Sequence, residues 1–203
     1  MAQWFVDPAG GQTELDRFTP KWGATSASIS VVDDAGTPAF FWKRPFGATV
    51  MSFEEAGQFA DCEVLILSRS NSASSNQKGG CGLRISDTQF DAYGASPIGA
   101  NNMSHDVVVN GSRSFLGRAN NLGIDNLQYN YIRARITGDL FQTRAWPLGS
   151  TEPATWSFEI NNTQVTAAGF AGLFARTVSD IWIAGWGLGT NGDPAPTGPV
   201  ATG

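Results

Sequence analysis

An all-β fold, a two-layer antiparallel sandwich, is predicted by three observations. Helical periodicity is nearly absent: no window of a dozen residues repeats apolar positions at i, i+3, i+4 and i+7, and the best exception, Asp16 to Trp22, is cut by Pro20. Short runs of β-branched, aromatic and alternating residues recur instead, each closed by Gly, Asn, Asp or Ser. The 203 residues include 24 glycines, against roughly 14 expected from average usage, so the chain is turn-rich without being low-complexity. A sandwich of this length is a single domain.

Residues 1–24 hold Trp4, Phe5, Phe18 and Trp22 among polar, Gly and Pro residues. Four large aromatics are costly to leave in water at about 25 cal/mol per Å², so the segment is expected to be an attachment arm that docks on a partner surface or in a groove of the sandwich. Strands are expected near Ala27–Val32, Pro38–Trp42, Ala48–Phe53, Cys62–Ser68, Gly82–Ser86, Gln89–Tyr93, Asp106–Val109 and Arg113–Arg118. Five more follow near Gln128–Thr137, Leu140–Trp146, Thr155–Ile160, Gly169–Ala175 and Ile181–Gly187, giving a sandwich over residues 25–190.

The clearest local signal is the pair of runs 129–137 and 140–146 around Gly138-Asp139, a hairpin whose turn opens with Gly. Alternation sends Ile132, Ala134 and Ile136 to the core and Tyr131, Arg133 and Arg135 to the other face. The same turn pairs Arg133 with Arg144, so the three arginines make a patch that must reach water or an acidic partner. The Ser/Asn-rich stretch 68–80 is expected to be an exposed loop closing a hairpin, with Cys81 opposite Ser68 and Cys62 on the order of 20 Å away, too far for a disulfide. Pro147 ends a strand and is expected to send the chain to the opposite sheet, with Trp146 and Trp156 flanking that corner. The tail 191–203 carries Pro and Gly but no packing pattern, and is expected to be a flexible linker.

From Cys62 onward the order of short motifs resembles phage-encoded laminin-G-like, concanavalin A-like jelly rolls. The matching residues are Asp61-Cys62-Glu63-Val64-Leu65, Gly82-Leu83-Arg84-Ile85-Ser86, Tyr131 to Gly138, Ala145-Trp146-Pro147-Leu148-Gly149, Glu152 to Trp156, Ala168 to Phe174, and Gly189-Thr190-Asn191-Gly192. The resemblance implies a component of tail fibres, baseplates or head decorations, displayed on the virion surface in several copies and made in the host cytoplasm. A Glu-x-Asp-x-x-Glu run like that of glycanases in the wider superfamily is absent.

Chemistry is sparse. A net charge of −5 with 13 Lys+Arg gives no basic footprint for nucleic acid, and no apolar run approaches the roughly 20 residues that cross a bilayer as a helix. The carboxylate pairs Glu54/Glu55 and Asp33/Asp34 are adjacent on strands and point to opposite faces, and Glu152/Asp180 is the remaining pair, so no enzyme activity is expected. His105, the only histidine, has no Gly-x-Ser-x-Gly beside it and is expected at a surface or cap position. No cofactor is expected. Calcium is the one ion the loops offer ligands for, at Asp33, Asp34, Asp87 and Asp180, but no Asp-x-Asp-x-Asp run spaces them.

The expected function is thus a non-enzymatic virion structural protein, anchored through Trp4, Phe5, Phe18 and Trp22 to other virion proteins. The alternative is a receptor module binding a host-surface glycan through Tyr131, Arg133, Arg135 and Arg144.

Overall fold

The structure is a computed structural model, and it describes residues 3–21, 29–43, 48–72, 79–99, 101–176 and 179–198. Among them fifteen strands form two antiparallel sheets stacked face to face. In chain order they are β1 (Gln3–Val6), β2 (Phe18–Pro20), β3 (Ile29–Asp34), β4 (Thr37–Trp42), β5 (Ala48–Phe53), β6 (Cys62–Ser70), β7 (Gly79–Ile85) and β8 (Ala92–Ile98). Then come β9 (Asn102–Val109), β10 (Ser112–Ala119), β11 (Asn130–Thr137), β12 (Leu140–Pro147), β13 (Phe158–Asn161), β14 (Phe170–Arg176) and β15 (Ile181–Thr190). The first sheet runs β13-β12-β11-β6-β15-β4-β3, with β1 also on β15; the second runs β10-β9-β8-β7-β14-β5-β2.

The antiparallel sandwich expected from the periodicity, with the jelly-roll form that the resemblance implies, is what the chain adopts. The predicted hairpin is present with Thr137 opposite Leu140, Gly138 at φ 56° and Arg133 opposite Arg144. Ile132, Ala134 and Ile136 are fully buried. Between the sheets Trp186 meets Phe18 edge-on at 5.3 Å and Phe53 at 4.8 Å, while Tyr93 lies 5.3 Å from Phe141. Trp42 and Trp186 are wholly enclosed, Trp146 nearly so, and Trp4, Trp156 and Trp182 are half-buried.

Several expectations are corrected. The N-terminal segment is not an arm outside the sandwich: β1 joins the first sheet through Phe5 opposite Gly187, and β2 joins the second through Phe18 opposite Phe53. Phe18 is buried against Phe40, Phe53 and Trp186, and Trp4 packs on Phe59 at 6.1 Å, so the surface these aromatics require is the sandwich itself. Trp22 lies outside the described residues. The stretch after β6 closes no hairpin, because β6 and β7 belong to different sheets; its residues 73–78 lie outside the described set. The two cysteines are nonetheless free and buried, with the Cys81 thiol 3.3 Å from the Ile132 carbonyl across the sandwich.

Pro147 sends the chain to no new sheet. The loop after it returns as β13, which pairs with β12 through Phe158 opposite Thr143. The strand expected at Gln89–Tyr93 begins at Ala92, since the Ser86 hydroxyl accepts the Gln89 and Asp91 amides and folds residues 86–91 into a turn. Pro97 stands in β8 opposite Met103 of β9, beyond Ala95, the last residue that β7 pairs with. Finally, residues 193–197 are not a free linker but a strap on the outer face of the first sheet, described next.

Candidate functional site

The outer face of the first sheet carries every residue of the expected arginine patch. Of the two outcomes that alternation left open, water or an acidic partner, the second holds for its centre: Arg133 is only 3% exposed. Its guanidinium pairs with Glu63 of β6, reaches Glu152 in the loop after β12 at 2.7 Å, and donates to the Ala195 carbonyl at 2.9 Å. Arg144 also pairs with Glu152 and donates to the Pro153 carbonyl at 2.8 Å. Arg135, more exposed, donates twice to the Gln142 side-chain oxygen at 2.8 and 3.1 Å, and Gln142 in turn donates to Glu159. The Trp156 ring lies 4.6 Å from the Arg135 guanidinium and 4.4 Å from that of Arg144. Three adjacent arginines do require acidic partners, and the chain supplies them from its own Glu63, Glu152 and Glu159.

The strap is fastened to this network mostly through backbone groups. The Ala195 amide donates to Glu63 at 2.9 Å, its carbonyl accepts Arg133, and the Gln3 side chain donates to the Pro194 carbonyl at 2.7 Å. Gly187 and Gly189 make room, since a Cβ at either would overlap carbonyl oxygens of Pro196 or Asp193. A strand that presents Gly at alternate positions marks a close backbone approach, which is the one sequence signal the strap had.

Beside the strap lies a groove of about 320 Å³, its open mouth included. Leu65, Leu67 and Gly185 form its floor, while Phe5 of β1, Tyr131 of β11 and Pro196 of the strap also line it. Tyr131 is stiffened by stacking on Trp146, with centroids 5.2 Å apart and rings 23° from parallel. The groove therefore unites one residue from each of the two expected site groups, Tyr131 and Phe5, and leaves the arginines outside its lining. Two residues beyond Leu67 on β6, about 7 Å along the strand, is Arg69. Arg69 donates to Asp34 at 2.6 Å and lies 4.1 Å over the Trp182 ring, which packs on Phe41 at 4.9 Å. The Arg69 hydrogen bonds, with one from the Tyr129 hydroxyl at 2.7 Å, hold the Asp34 carboxyl below the usual range.

The remaining candidates are structural. His105 is wholly buried in β9 rather than at a surface or cap: its ring stacks on Phe158 at 3.7 Å and its Nε2 lies 2.6 Å from the Thr143 hydroxyl. Burial lowers its pKa to about 3, so it stays neutral. Of the calcium candidates, Asp33 accepts the Gly36 amide, Asp34 holds Arg69, Asp87 pairs with Lys21 and Asp180 accepts from Asn71. Among the described residues no three His, Cys, Asp or Glu side chains converge as a metal site would require.

Taken together, the two sheets define a jelly-roll β-sandwich with an uncharged, aromatic-walled groove on one outer face. No protein-family model and no curated protein matches the chain. Solved structures of the same architecture do. The carbohydrate-binding module CBM66 from Bacillus subtilis aligns with a TM-score of 0.59 at 13% identity, over 83% of this chain and 94% of that one. A GH16 protein of a Bacteroides ovatus mixed-linkage glucan locus, solved with a product, aligns at 0.59 and 8% identity over 92% and 93%. The CBM2 module of an evolved Dit protein of Lactobacillus casei BL23 phage J-1 aligns at 0.55 and 10% identity over 94% and 96%. The likeness is one of fold.

Proposed function

We propose that the protein is a non-catalytic glycan-binding module carried on a tailed-phage particle, and that it holds sugar between Phe5 and Tyr131 on the outer face of the first sheet. The observation that carries the reading is the groove itself. The apolar faces of a sugar ring stack on aromatic side chains, and a groove with aromatic walls, an aliphatic and glycine floor and a hydroxyl-bearing rim presents those surfaces together. The rim hydroxyls belong to Tyr131 and Thr197, both lining residues. Because the strap is tied to the Glu63–Arg133 pair and Tyr131 is stacked on Trp146, the walls are set before ligand arrives, which lowers the ordering cost of binding.

The fold shared with CBM66 and with the phage Dit module supports the binding role, and the sequence motifs that resemble phage jelly rolls support the particle setting. The non-catalytic part is supported by the state of the nearby carboxylates. Glu63 and Glu152 are engaged by Arg133, and Asp34 by Arg69 and Tyr129, whereas glycoside hydrolysis needs two carboxyls free to act across the bond, one as acid and one as base or nucleophile. A second reading, a purely structural particle protein, keeps the expectation drawn from the sequence motifs.

Glycan-array binding of the isolated protein tests the first reading. Wild type is expected to bind defined glycans, and Tyr131→Ala to bind them about fivefold more weakly, as loss of a stacking contact of about 1 kcal/mol implies. Co-purification with particles and no sugar binding would favour the structural reading instead.

A further inference from the structure

We infer that the groove selects neutral glycans over uronic-acid or sialylated ones; the inference rests on the glycan-binding reading and names its ligand class. None of the groove's lining residues is charged. The four arginines of the surrounding face are each matched within the chain. Arg69 is held by Asp34, Arg133 by Glu63 and Glu152, and Arg144 by Glu152. Arg135 lies 4.0 Å from Glu63 and is joined to Glu159 through Gln142. Four guanidiniums face Asp34, Glu63, Glu152 and Glu159, and the strap adds Asp193, so the face carries no cationic excess.

A carboxylate-bearing sugar gains affinity from a cation whose donors are free to turn toward it. Here the arginine nearest the strap, Arg133, is buried, and its two terminal nitrogens donate to Glu63, Glu152 and the Ala195 carbonyl. Capturing an anion there would mean breaking those pairs and leaving the buried Glu63 without its guanidinium beside it. The chain's net charge of −5 adds a repulsive background for anionic ligands. Neutral hydroxyls meet no such opposition, and at the rim Thr197 and Tyr131 offer uncharged donors and acceptors.

The test is calorimetric titration of the full chain with neutral hexose and N-acetylhexosamine oligosaccharides and with their uronic-acid and sialylated counterparts. Titrations at about 0.1 M and about 1 M salt span Debye lengths of about 10 and 3 Å. The neutral probes are expected to bind at least tenfold more tightly, with affinity unchanged within about twofold between the two salts. Arg135→Gln is expected to leave that affinity within about twofold, and Thr197→Val to weaken it severalfold. Acidic probes binding as tightly as neutral ones, or a clear fall in affinity with salt or in Arg135→Gln, would overturn the inference while leaving glycan binding intact. Binding of neither class would overturn the glycan-binding reading and this inference with it.

Discussion

Replacing Arg133 with Gln removes the centre of a buried ionic network. The Arg133 side chain is 4% exposed and the Glu63 side chain 5%, so both charges are desolvated and depend on each other. Without the guanidinium, Glu63 keeps one close hydrogen bond, from the Ala195 amide, and Glu152 keeps Arg144. Deleting one member of a buried pair costs about 3–5 kcal/mol. Glu152 is 26% exposed and retains a partner, which places Arg133→Gln near the low end, about 3 kcal/mol. At about 2–4 °C per kcal/mol for a chain of this size, the melting temperature should fall by about 6–12 °C. Differential scanning calorimetry of Arg133→Gln, with Arg135→Gln as comparator, measures it. Arg135 is 39% exposed, and its exchange should cost at most about 1 kcal/mol, a shift of a few degrees. An Arg133→Gln protein melting within about 2 °C of wild type would refute the buried network and restore a solvated patch.

Three further outcomes are expected. Phe18→Ala should destabilise the fold by about 3–5 kcal/mol, because Phe18 is enclosed by Phe40, Phe53 and Trp186; a soluble variant melting like wild type would return the N-terminal segment to the status of a free arm. His105 has its pKa lowered to about 3 from 6.5, so the unfolded chain binds the extra proton. Stability should be full above about pH 6.5 and fall by at most about 1.4 kcal/mol per pH unit as pH drops toward 3. The loss tied to Asp34 should begin only near and below its usual value of 3.8, so denaturant titrations of His105→Gln should come out flatter than wild type between pH 4 and 6.5. Burial pushes the Cys62 thiol up to about 12 and Cys81 higher still, so a thiol reagent at pH 8 should label neither in the native protein and both after non-reducing denaturation. Rapid native labelling would contradict the packing around them.

The hairpin of β11 and β12 was legible because alternation and turn are both local: Gly138-Asp139 fixes the register, and the register places Arg133 opposite Arg144. What covers that face was not. Alternation tells which side of a strand a residue takes, and an outward side is read as solvent-facing unless another segment lies over it. The strap binds chiefly through the Ala195 and Pro194 backbone, which leaves no side-chain pattern, and its trace in sequence is the pair Gly187 and Gly189. The groove was hidden for a similar reason, since Phe5 and Tyr131 lie far apart in the chain and meet only because β1 adds to β15. His105 was misplaced because Ser104-His105-Asp106 has the composition of a loop. Its burial is decided by Phe158 and Thr143 on strands of the opposite sheet. The crossover after β6 was missed because a polar loop of that length fits a hairpin as well as a change of sheet.

If the groove is the binding site, sugar sits between Phe5 and Tyr131. The most direct measurement is a crystal structure of the protein with a neutral oligosaccharide that it binds on an array. Density for a sugar ring is expected against the Tyr131 and Phe5 rings, with Pro196 of the strap at its flank. Density on the outer face of the second sheet, or on the Trp156 side with the groove empty, would contradict it.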